Sequence, residues 1–122
     1  MTAILGYITL GLVVLAIGKY IVRKLPVPPT LKRKLVKFFK KLHPFAGIGA
    51  VLLGLYHGYR AYGLNFLFTG HILWISILMV AILGILADRK LLFKKKLIVL
   101  HKLSVVLVIL MFLLHYFNRY IL

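Results

Sequence analysis

The sequence has no cysteine. That absence excludes disulfides, covalent c-type haem attachment, thiolate zinc sites and cysteine-held iron–sulfur clusters. It has one acidic residue, Asp88, against 17 Lys and Arg. Paired-carboxylate catalysis within the chain is therefore excluded as well. Polar surface is scarce: 63% of the 122 residues are hydrophobic. The bases are clustered, and long apolar runs separate the clusters. This is the pattern of a polytopic membrane protein forming a single small domain over residues 1–122. The net charge of +16 comes from bases flanking apolar spans, so membrane topology accounts for it and nucleic acid is not expected as a partner.

Four spans are expected, over about 2–22, 42–62, 69–87 and 97–120. Residues 1–18 carry no charge and no basic stretch precedes them, so the first run reads as a retained span and not a signal peptide. Three of the four prolines stand at 26, 28 and 29 and end that helix. From Leu31 to Leu42 the apolar residues 31, 35, 38, 39 and 42 recur at helical spacing. Lys32, Arg33, Lys34, Lys37, Lys40 and Lys41 fall on the other side. An amphipathic interfacial helix on an anionic membrane surface is expected between spans one and two, the alternative being a solvated basic loop. The fold class is thus all-α, an integral membrane four-helix bundle with that interfacial helix. Pro44 fits the first turn of the second span.

Nine bases lie between Lys19 and Lys41 and six between Arg89 and Lys102, whereas the opposite side holds only Arg60 and Arg119. The positive-inside rule then places both Lys-rich connections in the cytoplasm of a plasma-membrane protein, and both termini outside. Tyr56, Tyr59, Tyr62, Tyr116 and Tyr120 form an aromatic belt at the outer interface.

His43 and His57 bracket thirteen uncharged residues, and His101 and His115 repeat the interval of fourteen positions. The offset between the brackets is 58 residues at both ends (43 to 101, 57 to 115). Fourteen residues of helix rise by ~21 Å and return to within about 40° of the same face. Spans two and four run parallel, so the four histidines make two layers: His43 with His101 near the cytoplasm, His57 with His115 near the outside. Each layer suits one haem iron held by two imidazoles. The face between the first pair reads His43, Gly47, Ala50, Gly54, His57, Ala61, small at every position between the histidines. Gly70 and Gly84 on the third span are also fourteen apart. Ordinary small-residue helix packing is the bland account of such glycines. Hydrogen-bonded packing histidines or a proton relay are the alternatives to haem. A non-haem metal is disfavoured, because each layer offers two imidazoles and no carboxylate.

These residues resemble the dihaem b-type membrane cytochromes. The pattern is similar to the four-helix haem-binding core of cytochrome b in quinol–cytochrome c oxidoreductases, a theme shared with ferric-reductase-like domains and cytochrome b561 proteins. The resemblance implies two non-covalent haem b groups, with His43 and His101 as ligands of the inner iron and His57 and His115 of the outer. It also implies that Gly70 and Gly84 make room for the porphyrins. The chain departs from those families in having no further helices for a quinol site and no flavin or nicotinamide domain.

The expected function is transmembrane electron transfer through two stacked bis-histidine haems, from a quinol or a cytoplasmic reductase to an acceptor across the membrane. Membrane lipid, redox partner proteins and quinone are the expected partners. Arg60 and Arg119 beside the outer layer suit haem propionates, or serve as interface anchors. His71 has no partner at the 58-residue offset and reads as an interfacial histidine, with a propionate or quinone role as the alternative. The alternative functions are a stand-alone oxidoreductase of the superoxide:quinone or ferric reductase type, and a haem-free histidine proton channel or anchor subunit.

Overall fold

The computed structural model describes residues 1–63, 69–89 and 93–118. Among them are four helices: α1 (Thr2–Lys24), α2 (Pro29–Tyr62), α3 (Thr69–Asp88) and α4 (Lys94–Phe117). Each is long and apolar enough to cross a membrane. α1 stops where Leu25 turns extended (φ −72°, ψ 140°), because the residue before a proline is pushed out of the helical region. Arg23 and Lys24 occupy its last turn, the end at which a helix dipole favours cations.

α2 differs from expectation. The basic segment and the second span form one continuous helix of 34 residues with Pro44 in its interior; no separate interfacial helix intervenes. Hydropathy changes sharply near Leu42, but backbone propensity does not. Lys, Arg and Leu are all good helix formers, and Pro29 starts the helix at the position where a missing N–H costs nothing. Pro44 forfeits one intrahelical bond and is tolerated as a single interior break. At ~1.5 Å per residue α2 is ~51 Å long, well beyond a hydrocarbon core of ~30 Å.

α3 begins at Thr69, as expected. α4 begins three residues earlier than the expected 97, because Lys94–Lys96 join the helix. It ends at Phe117, before the expected 120, where Asn118 turns extended (φ −137°, ψ 104°).

The chain divides into two compact units, Met1–His57 and Gly58–Leu122. In the first, α1 and α2 run antiparallel. Gly6 lies against His57, Leu12 against Gly49 and Gly18 against Phe39. A Cβ at Gly18 would fall 2.5 Å from the Phe39 ring, so only glycine admits that ring. In the second unit α3 and α4 are likewise antiparallel, with Gly70 against His115 and Gly84 against His101. Most buried positions are small or hydroxyl-bearing, among them Ala46, Ala50, Thr69, Ser76, Ala87 and Ser104; Val22, Ile77 and Val108 are the larger buried residues. Large apolar residues such as Phe45, Leu52, Val106 and Leu110 point outward. Small inward and apolar outward faces are how helices pack when the surrounding solvent is itself apolar.

Candidate functional site: four anchored or abutted histidines

Each unit carries two histidines on its second helix, and each of these rings meets the first helix of its own unit. On α2, Nδ1 of His43 lies 2.7 Å from the carbonyl oxygen of Ala16. On α4, Nδ1 of His101 lies 2.9 Å from the carbonyl oxygen of Val80. A carbonyl has no proton to give, so in both bonds Nδ1 is the donor. In the neutral ring the lone pair then belongs to Nε2. This is the tautomer that ligates a metal through Nε2, with the second nitrogen tied to a backbone acceptor.

His115 reaches the same state by another route. Thr69, 2% exposed, donates its hydroxyl proton to the carbonyl of Asn118 at 2.9 Å. Its oxygen lies 3.0 Å from Nδ1 of His115. With its single proton engaged, the hydroxyl accepts from Nδ1–H. His57 is the exception. Its Nδ1 is buried and has no hydrogen-bond partner among the described residues.

The glycines explain how the rings come so close. A Cβ at Gly70 would stand 3.1 Å from Cε1 of His115, one at Gly84 3.1 Å from Cε1 of His101, and one at Gly6 3.2 Å from Cε1 of His57. Gly70 and Gly84, expected to clear a porphyrin, thus directly receive an imidazole edge. Gly6, which sequence reasoning passed over, does the same for His57. Gly47 is different, since a Cβ there would meet nothing within 4 Å among the described residues. Gly54 is half-buried on α2. Arg60 is exposed in the last turn of α2, Asp88 is the exposed last residue of α3, and His71 is half-buried in the first turn of α3. Arg119 and Tyr120 lie outside the described residues.

The two units share one plan. On the histidine-bearing helices the offset of 58 holds beyond the histidines: buried Ala46 and Ala50 correspond to buried Ser104 and Val108. On the partner helices the offset is 64: Gly6 corresponds to Gly70, and Ala16 to Val80, in the same contacts. The correspondence is incomplete: Gly84, which receives the His101 ring, corresponds to Tyr20, and a second difference bears on His57. Thr69 corresponds to Leu5, which has no polar side-chain atom, and this accounts for the unpartnered Nδ1 of His57.

Among the described residues no group of three or more His, Cys, Asp or Glu side chains gathers as a metal site would require. The fold and these histidines define the class: an all-α chain with four helices able to cross a membrane, built as two histidine-bearing hairpins. Compared with known proteins, the chain matches no family model, no curated protein and no solved structure.

Proposed function

We propose that this chain is a membrane electron-transfer protein that holds two b-type haems, one between His43 and His101 and one between His57 and His115. The observation that carries this reading is the tautomer. Three of the four bracket histidines have Nδ1 placed as a donor, which is the tautomer that would ligate through Nε2. The donor set fits the group: neutral imidazoles in twos suit a low-spin haem iron, and neither thiolate nor paired carboxylate is present to suit another metal. The orphaned Nδ1 of His57 also fits. A half-buried ring whose buried Nδ1 has no hydrogen bond among the described residues is costly as a packing residue, and ligation through Nε2 would supply the missing reason for its place. When bound, such a group takes up and releases one electron.

The residues around the histidines do the remaining work. Ala16, Val80 and Thr69 hold rings at a fixed rotation. Gly6, Gly70 and Gly84 let the rings sit close to the neighbouring backbone. The open flank of Gly47 leaves room beside His43. The apolar outer faces keep water from the site, and Arg60 stands where it can meet an acidic group at the outer edge.

Charge placement supports the topology. Lys94–Lys96 crowd the first turn of α4, and Asp88 closes α3. Both are the wrong sign for the helix dipole. For the lysines the positive-inside rule supplies a reason, which supports the reading that the Lys-rich connections lie in the cytoplasm of a plasma-membrane protein. Electrons would enter from a quinol or a cytoplasmic reductase and leave to a partner on the other face.

The test is the colour of the purified protein. Expression with ample haem should give the split absorption bands of low-spin b haem and two haems per chain by pyridine haemochrome. A colourless preparation overturns the reading.

A further inference from the structure

We infer that Thr69 is a positioning residue that tunes one of the two redox centres, and that the centre of His57 and His115 has the higher potential. This rests on the haem reading above. The observation is the unequal treatment of four Nδ1 atoms. His43 and His101 both donate to backbone carbonyls. His115 donates to a hydroxyl, and His57 donates to nothing among the described residues.

The chemistry follows from the sign of each bond. A hydrogen bond from Nδ1–H to an acceptor moves electron density into the ring and makes Nε2 a stronger donor. A stronger donor favours ferric over ferrous iron and lowers the potential. A carbonyl oxygen is a better acceptor than a hydroxyl already donating elsewhere. The His43/His101 centre has two rings strengthened by carbonyls. The His57/His115 centre has one ring strengthened by a hydroxyl and one not strengthened. With both groups bound, the one held by His57 and His115 would be the first to be reduced.

The exposed bases do not reverse this order. Lys40, Lys41 and Lys102 beside the first pair would raise its potential, and Arg60 would do the same for the second. All four side chains are exposed, so water and salt screen them.

The duplicated plan supplies both a loss and a gain variant. Thr69→Val removes the acceptor from His115 and keeps the volume. Leu5→Thr places a hydroxyl on α1 at the position that Thr69 holds on α3, beside His57. The experiment is an optical redox titration of the purified dihaem protein in detergent. Wild type should titrate in two waves. Thr69→Val should shift only the higher wave, upward, and Thr69→Ser should return it. Leu5→Thr should shift the same wave downward, and it provides the decision should Thr69→Val fail to fold.

A two-haem protein that titrates as one wave overturns this inference and leaves the haem reading intact. So does one whose lower wave alone responds to these variants, or one in which neither wave moves. A protein without haem overturns the reading beneath it, and the haem count separates that failure from the others.

Discussion

The Thr69 hydroxyl stands 3.0 Å from Nδ1 of His115 while donating to Asn118 at 2.9 Å. One buried side chain thus fixes an imidazole and the end of α4 together. Thr69→Val takes this partner from half-buried His115 and from the exposed end of α4, at a cost of ~1 kcal/mol, and Thr69→Ser retains most of the stability. Unfolding in a graded series of denaturing detergent should rank wild type and Thr69→Ser above Thr69→Val. Equal stability of all three would remove the hydroxyl from the account.

Gly84→Val and Gly70→Val put a side chain where an imidazole edge now lies, 3.1 Å from a Cβ in each case. Each should displace its own histidine and, if the chain holds the two proposed haems, lower the haem count from two per chain toward one. Gly11→Ala is the control, because a Cβ there meets nothing within 4 Å among the described residues. Its haem content should match wild type. Retention of both haems in Gly84→Val would show that His101 is not a ligand.

His57→Ala should remove one haem and spare the other, as should His115→Ala. The double substitution should look like either single one. If the double variant instead loses both haems while each single variant loses one, the two histidines serve different centres.

Gly18→Ala sets a methyl 2.5 Å from the Phe39 ring. Overpacking of this kind costs ~1–3 kcal/mol. Phe39→Leu should offset much of it, giving a favourable coupling in a double-mutant cycle. Additive effects would mean that the ring moves aside freely.

Single cysteines at Lys95 and Gly63 test the topology. The chain has no other cysteine, so labelling is unambiguous. An impermeant thiol reagent added to intact cells should label the protein at position 63 and not at 95. The reverse pattern would invert the whole arrangement.

Much of this molecule is legible in the sequence because membrane helices leave a coarse signal in hydropathy. Three of the four starts or ends nearest a charge cluster lie within three residues of where hydropathy puts them. The histidine interval is readable because helical period is regular. The junction at Leu42 is not readable, since hydropathy reports the solvent and not the continuity of the backbone. Nor is the role of Gly6, one of three glycines in the apolar run 1–18. Its meaning emerges only from the 64-residue offset to Gly70, and that offset differs from the 58 of the histidines. A search for one repeat length cannot find both.

The six-residue difference between those offsets is a mark of how the chain is built. From Ala16 to His43 is 27 residues, and from Val80 to His101 is 21. The extra six stand in the turn region of the first hairpin, where they lengthen the basic part of α2 by up to ~9 Å. The contacts at the histidines are unchanged by them. Each hairpin keeps its own histidine contacts whatever the length of its turn, so each is free to acquire what the other lacks: a longer basic arm in the first, a threonine in the second.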